Sequence, residues 1–484
     1  MNIIVICADT FRYDHQGFLK QQTVLTPNLD RLAAQSAVFS DFRLCSFPSV
    51  ISRIDMHTGR YSFPFFRWRP LPHEYPVLAE VFKRHGFRTG FISDNRQLIE
   101  GNAGFERGFD FVRRVPGQSH DRFRPPSEPM LRCPCPAEKT ELKERHLQRY
   151  LRNAFWYHQQ GTNTTEVLFH AAMEWLETAS ADGKFLLWID VMCPHQPWDP
   201  PAQFLNLYPW NEQGDRVFSP KTGYASTYPG ADLDNMRSLY KASVSQLDHW
   251  IGQLHEHLCR TGAWDDCALL FCSDHGYYFG EHALLGKPSA RQTRDATAFY
   301  EELAHLPLII RHPDGLGAGR TIGGLCQPPD LVATALELAG ITPVPWVQGN
   351  SLVPRLRGQP SRQSLAVAGT YPTKKALVGC LAVWTEQWCL MYSPFLGLAG
   401  SELFHRPTDP TELHNVITQQ REVAQDLFDQ LVGWLDRLGV SSRRKRQLLF
   451  NEGFPQLRKL QYDWSMLTKR VRYWKHYRHY ARGG

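Results

Sequence analysis

Two aspartates and a histidine stand where apolar runs end. Asp9 follows the run Ile3–Cys7, and Asp274-His275 follow the run Ala268–Cys272. Two carboxylates and an imidazole suit a divalent cation such as Ca²⁺, Mg²⁺, Mn²⁺ or Zn²⁺. A third run, Phe185–Val191, leads into Pro194-His195-Gln196-Pro197 and brings a second imidazole. Either aspartate alone could cap a following helix. Both together, with a histidine beside one of them, favour a metal.

A further piece is Ser49-Val50-Ile51-Ser52-Arg53, leading to His57-Thr58-Gly59-Arg60. Ser49, after Pro48, is expected at the N-cap of a short helix that Gly59 ends. A helix N-terminus offers free N–H groups and a positive partial charge to an anion. Arg53, four residues on, shares the face of Ser49, where its fork could orient an oxyanion or the nucleophile. A hydroxyl at an anion-binding helix end, together with a candidate cation site, suits a metal-dependent hydrolase acting on charged oxyanion esters.

Those groups need a scaffold that brings them to one edge. Five short continuous apolar runs, Ile3–Cys7, Thr89–Ile92, Phe185–Val191, Ala268–Cys272 and Leu308–Ile310, read as parallel strands covered on both faces. Helical patterns separate them: Thr26-Pro27 opens one, and Met236–Leu258 carries apolar residues at near-helical spacing. Strand–helix alternation predicts an α/β sandwich around a mostly parallel sheet, whose strand ends can gather the site. Residues 115–160 are rich in Pro, Arg and charge and read as a surface excursion over the substrate side, a lid or insertion. Cys133-Pro134-Cys135 within it has no partner ligands nearby in sequence and is a weak metal clip. Beyond residue 358 short alternating runs, Leu377–Trp384 and Trp388–Tyr392, suggest a small antiparallel subdomain. The expected division is a catalytic domain 1–358, a C-terminal α+β subdomain 359–440 and a basic aromatic tail 441–484.

The 484 residues, 42% hydrophobic and 21% charged, are those of a globular chain rather than a disordered one. No apolar window approaches a membrane span, and the N-terminus lacks the pattern of a signal peptide. Eleven cysteines without framework spacing point to a reduced, cytoplasmic protein. The net charge of +6 is concentrated in the tail, where twelve Lys/Arg face only Glu452 and Asp463. There Arg443-Arg444-Lys445-Arg446, Lys469-Arg470, Arg472, Lys475, Arg478 and Arg482 alternate with Trp464, Tyr473, Trp474, Tyr477 and Tyr480. Such a tail could lie on nucleic acid or an anionic surface, or pack as a terminal helix with its cations in water.

The order of the pieces resembles the sulfatase family of the alkaline phosphatase superfamily, over most of residues 1–420. Beside the site motifs stand Thr26-Pro27-Asn28-Leu29-Asp30-Arg31-Leu32-Ala33, Gly280-Glu281-His282 and Gly286-Lys287. Tyr300-Glu301-Glu302, Pro307-Leu308-Ile309-Ile310, Gly340-Ile341 and Gly349-Asn350-Ser351-Leu352 follow. Glu402-Leu403-Phe404, Asp409-Pro410-Thr411-Glu412-Leu413 and Asn415 complete the series. The resemblance implies an alkaline-phosphatase-like sandwich and one divalent ion (Ca²⁺, Mn²⁺ or Zn²⁺). Its ligands would be Asp9, Thr10, Ser49, Asp274 and His275, with Ser49 as nucleophile and Arg53 beside it. His195 and Lys287 would grip the ester oxygens, and one of them would assist the leaving group.

Register decides between Ser49 and Cys45: counting back from Thr58-Gly59-Arg60 gives Ser49, whereas Cys45 would leave Arg53 two helical turns away. Two positions depart from the family. Ile51 stands where the proline that directs oxidation to formylglycine belongs, and Thr10 replaces a second acid. The expected function is hydrolysis of a sulfate ester of a small molecule or carbohydrate. The alternative is a phosphodiester or phosphonate monoester hydrolase using unmodified Ser49. A two-metal phosphodiesterase would need Asp190, His195 and His305 to form a second cluster.

Overall fold

Strand β1 (Asn2–Ala8) is apolar throughout because both of its faces are covered. Ile3, Val5 and Cys7 enter one core with Val50, Ile54, Val81 and Leu331. Ile4, Ile6 and Ala8 enter another with Leu29, Leu168 and Leu239. A strand covered on both sides loses the polar–apolar alternation of a half-exposed one. The computed structural model describes residues 1–66, 69–118, 121–180, 183–288, 298–342, 344–370, 380–394 and 397–450.

The main sheet contains β1, β2 (Ala37–Phe39), β3 (Arg88–Ser93), β4 (Phe111–Arg114), β5 (Phe185–Val191), β6 (Cys267–Ser273), β7 (Leu308–Arg311) and β8 (Arg320–Ile322). Its order is β8-β2-β7-β6-β1-β5-β3-β4. The run β6-β1-β5-β3-β4 is parallel throughout. Strand β7 corrects the expectation for Leu308–Ile310, since it pairs antiparallel with both β6 and β2. Burial on both faces fixed its apolar composition, and composition carries no direction. The short strands β2, β4 and β8 escaped the sequence reading, two of them being three residues long.

Among the helices are α1 (Pro27–Ala34), α2 (Ser49–Thr58), α3 (Leu78–Arg84), α4 (Glu144–Gln159), α5 (Thr164–Ala179), α6 (Gly230–Thr261) and α7 (Pro329–Leu338). Helix α1 begins at Pro27 as its sequence predicts, although Thr26 makes no side-chain cap. Its hydroxyl serves a turn instead, accepting from Gly17 N and donating to Asp30. Helix α6 runs 32 residues, enclosing the predicted Met236–Leu258 pattern. The excursion 115–160 holds α4, which buries Leu147, Tyr150 and Tyr157 and so has an inner face. That face was masked by Arg and His at the intervening positions.

A second sheet is antiparallel, with β9 (Ala366–Gly369), β10 (Leu381–Trp384), β11 (Trp388–Tyr392) and β12 (Glu402–His405) in sequence order. The part of the run Leu377–Trp384 before Cys380 lies outside the described residues. Helix α8 (Arg421–Arg437) covers one face through Leu427 and Leu431, while Ala368, Trp384, Met391 and Phe404 on the other join the main core. The tail is described only to Phe450, where Ser442–Phe450 is helical and buries Leu448 and Leu449. Its aromatic–basic stretch from residue 451 onward lies outside the described residues. No helix among the described residues is long and apolar enough to cross a membrane.

Candidate active site

Three adjacent strands, β6, β1 and β5, run in parallel and end at the same edge. Asp274 and His275 leave the end of β6, Asp9 and Thr10 leave β1, and Asp190 is the penultimate residue of β5. Asp9, Asp274 and His275 are buried, with one ligand atom from each lying within 4.8 Å of the others. The turn carrying Asp274-His275 is pressed against the chain before β7. A Cβ on Gly276 would stand 1.9 Å from the Glu302 carbonyl oxygen, so only glycine fits there.

Thr10 adopts φ 69°, a left-handed conformation unfavourable for a β-branched residue. Its surroundings hold it there. Its N–H donates to Asp274 Oδ1 (3.0 Å), its hydroxyl to Asp9 Oδ1 (2.6 Å), and its carbonyl accepts from the Tyr240 hydroxyl (2.8 Å). Thr10 thus links the two aspartates. Strain of this kind persists where neighbours over-determine it, commonly at functional sites.

Helix α2 supplies Ser49 and Arg53. Pro48, extended at φ −89°, takes the N-cap position, and Ser49 is the first helical residue, one place later than its sequence suggests. Gly59 ends the helix in the left-handed conformation with φ 69°, as expected. Ser49 is partly exposed, and its Oγ lies 2.8 Å from His275 Nε2. Cys45, the other candidate in this stretch, is fully buried.

Arg53 has a different setting from the one its spacing suggested. Its guanidinium is fully buried and faces three carboxylates. It holds Asp190 in a fork (2.7 and 3.0 Å), reaches Asp9 Oδ2 at 3.0 Å and bonds Asp274 Oδ2. Toward Ser49 it reaches only the backbone carbonyl, at 3.4 Å. Its side chain turns inward because the unpaired acids on the strand ends attract it more strongly than solvent does. Burial raises the Asp190 pKa to about 6 against the pull of Arg53. For Asp9 burial also acts upward, but Arg53, His195, Lys287 and His275 outweigh it and hold the carboxyl below its usual range.

With the three carboxylates ionised, one guanidinium leaves this buried group at −2. Lys287 beside the cluster offsets part of that charge; the remainder is costly in a protein interior, and a divalent cation is its natural complement. The donor set therefore fits such an ion.

The two imidazoles are matched. Nδ1–H of His275 faces the Gly276 carbonyl (3.0 Å), and His195 Nδ1 faces that of Gln196. This leaves each Nε2 as the acceptor in the tautomer the partners favour. Burial lowers both pKa values, with Lys287 adding to the effect, and His195 falls to about 4. Lys287 Nζ lies 2.8 Å from His195 Nε2 and 3.4 Å from His275 Nε2. All eight residues singled out from sequence thus meet in one constellation. Asp190 entered the sequence reading only as a member of a possible second metal cluster, and its pairing with Arg53 was not foreseen. Tyr240 gave no signal in sequence.

A second metal cluster does not form from Asp190, His195 and His305. Asp190 is committed to Arg53, while His305 bonds Glu301, lies 3.0 Å from the Ser40 carbonyl and stacks on Tyr13 at 3.5 Å. Among the described residues Asp9, Asp274 and His275 are the group placed to hold an ion. The Cys133 and Cys135 sulfurs lie 3.8 Å apart without further ligands of that kind.

The family model described as "Sulfatase" matches residues 1–341, and one described as "N-sulphoglucosamine sulphohydrolase, C-terminal" matches residues 292–438. Arylsulfatase K of Homo sapiens is 23% identical over 475 residues, covering 89% of this chain and 81% of its own. The phosphonate monoester hydrolase of Agrobacterium radiobacter superposes with a TM-score of 0.71 at 20% identity, over 90% of this chain and 96% of its own. A protein solved in complex with its substrate D-glucosamine-2-N,6-O-disulfate superposes with a TM-score of 0.69 at 18% identity, over 92% and 99%. The match over residues 1–341 takes in every side chain of the constellation, and the chain belongs to the sulfatase family.

Proposed function

We propose that the protein hydrolyses sulfate esters with Ser49 as nucleophile and one divalent cation held by Asp9, Asp274, His275 and the Ser49 oxygen. The observation that carries this reading is the 2.8 Å approach of Ser49 Oγ to His275 Nε2 at the open side of an otherwise buried acidic cluster. When bound, the cation would lower the pKa of an oxygen acid it contacts and draw charge from the ester oxygens. Thr10, expected among the ligands, instead gives its hydroxyl to Asp9 Oδ1 and orients that carboxylate. Arg53 balances the three carboxylates and keeps them in register for the ion.

Ser49, its proton given up to water as its pKa is lowered, attacks the sulfur through Oγ from the start of α2, where unpaired N–H groups favour the anion. Lys287 holds a non-bridging oxygen or passes its proton to the leaving oxygen as the S–O bond breaks. His195, neutral at pH 7 with Nε2 toward Lys287, orients that ammonium. Water then releases sulfate from Ser49.

A second reading rests on Ile51. Its side chain is buried in place of the proline of the oxidation motif, which favours an unmodified Ser49. A serine ester is cleaved far more readily at phosphorus than at sulfur, so a phosphonate monoester or phosphodiester hydrolase follows if Ser49 stays a serine. Mass spectrometry of the Ser49 peptide, with rates on p-nitrophenyl sulfate, p-nitrophenyl phenylphosphonate and bis-p-nitrophenyl phosphate, separates the two. Fastest turnover of the sulfate supports the sulfatase reading, with sulfate released by water if the peptide carries serine and by collapse to the aldehyde if it carries formylglycine; an intact serine with fastest turnover of the phosphonate or diester rejects it. Eleven free thiols support a reducing compartment such as the cytoplasm.

A further inference from the structure

Four successive backbone N–H groups, from Asp9 to Arg12, each find an acceptor on a different residue. Asp9 N donates to the Val191 carbonyl (2.9 Å), Thr10 N to Asp274 Oδ1 (3.0 Å) and Phe11 N to Ser273 Oγ (2.9 Å). Those three acceptors lie at the ends of the neighbouring strands β5 and β6. The fourth does not: Arg12 N donates to the hydroxyl of Tyr240 (2.9 Å), which comes from helix α6. The same hydroxyl donates to the Thr10 carbonyl (2.8 Å), so one oxygen braces the chain on both sides of Phe11.

Thr10 stands between these anchors, and its φ of 69° lies where a β-branched side chain is strained. The peptide plane before it is fixed by its own N–H on Asp274. The plane after it is fixed by the Thr10 carbonyl on Tyr240 and by Phe11 N–H on Ser273. Turning Thr10 to an ordinary φ would swing one plane against the other and break bonds on both. Its hydroxyl would then leave Asp9 Oδ1. Tyr240 is rigid enough to resist that turn. Its side chain is fully buried, with its ring against Phe279 (4.9 Å), His15 (5.0 Å) and Trp198 (6.1 Å). Arg12 is fixed in turn by Asp14, Glu281 and the Tyr277 carbonyl.

Resting on the single-cation reading above, we propose that Tyr240 is a positioning residue for the metal site. Its hydroxyl keeps Thr10 left-handed before any ion binds, and Thr10 in turn keeps Asp9 and Asp274 in their present spacing. Tyr240 acts through the Thr10 backbone and touches neither the ion nor the ester. A site held in its binding shape has the higher apparent affinity, because an ion that must first restore the shape is bound only by the competent fraction.

Calorimetric titration of the metal-depleted full chain with Mn²⁺ tests this. Tyr240→Phe keeps the ring and should weaken Mn²⁺ binding about tenfold, the strength of one hydrogen bond. At saturating Mn²⁺ its kcat, on the ester cleaved fastest, should return to within about twofold of wild type, since the defect lies in forming the site. Tyr208→Phe is the control for a merely structural loss. The Tyr208 hydroxyl also serves two partners, Leu25 N (2.9 Å) and Ser245 Oγ (2.6 Å), and none of the three lies in the metal loop. Its removal should lower the melting temperature and leave Mn²⁺ affinity unchanged. Hydrogen exchange on the wild type needs no variant: the amides of Thr10, Phe11 and Arg12 should stay protected in chelator as in Mn²⁺. The proposal is overturned if Tyr240→Phe binds Mn²⁺ as wild type does, or if Tyr208→Phe weakens binding equally. It is equally overturned if kcat of Tyr240→Phe stays low at saturating Mn²⁺, or if the wild-type amides lose protection in chelator. Failure of the single-cation reading looks different: wild-type protein would bind no Mn²⁺.

Discussion

At the scale of single residues, the centre is a charge balance. Asp9, Asp190 and Asp274 surround Arg53, and the deficit of positive charge faces Ser49 and His275. Removing Arg53 should therefore hurt the metal-free protein most. Arg53→Met is expected to cost about 3–5 kcal/mol in chelator, typical of stranding buried charge. Added Mn²⁺ or Ca²⁺ should recover much of that loss. Melting temperatures of both proteins with chelator and with metal check this, and an equal loss in the two conditions would contradict the balance. The candidate ligands were legible in sequence because a polar residue that ends an apolar run is seldom there for packing alone. The inward turn of Arg53 was not. Helical spacing puts Arg53 on the face of Ser49, but which of two charged partners a long side chain chooses depends on strands far away in the chain.

At the scale of elements, the site depends on adjacent strand ends keeping register. Asp94, just after β3, accepts from the Met192 N–H just after β5 (2.8 Å) and so pins the loop that carries His195. It is 2% exposed, and burial raises its pKa to about 7. For an acid whose folded pKa is raised, the protonated form favours folding. That contribution is whole below the unfolded pKa near 4 and is lost as pH rises through 7. Asp94→Asn keeps the acceptor for Met192 and removes the titration. It should match wild type at pH 4 and exceed it by about 2–4 kcal/mol at pH 8. Urea unfolding at the two pH values measures the difference, and an unchanged gap between the proteins would refute it. Parallel strands were legible because burial on both faces writes a continuous apolar run. The reversed direction of β7 was not, since the same burial gives the same composition either way.

At the scale of the molecule, one edge of a parallel sheet gathers the acids, a helix from one covering layer presents Ser49, and the excursion 115–160 reaches the same edge from outside. Fold class and the order of motifs could be read from the chain, because each depends on local pattern. The approach of Glu141 to Gln196 (3.4 Å) could not, since it arises where irregular segments 55 residues apart meet. The account stands on a single cation acting together with Ser49. Its most direct test is titration of the metal-depleted protein with Ca²⁺, Mn²⁺ or Zn²⁺, reading turnover of whichever aryl ester is cleaved fastest. The prediction is negligible turnover without metal, saturation at one equivalent, and no recovery at any metal concentration in Ser49→Ala. Full activity in the metal-depleted protein, a requirement for two equivalents, or an active Ser49→Ala would contradict it.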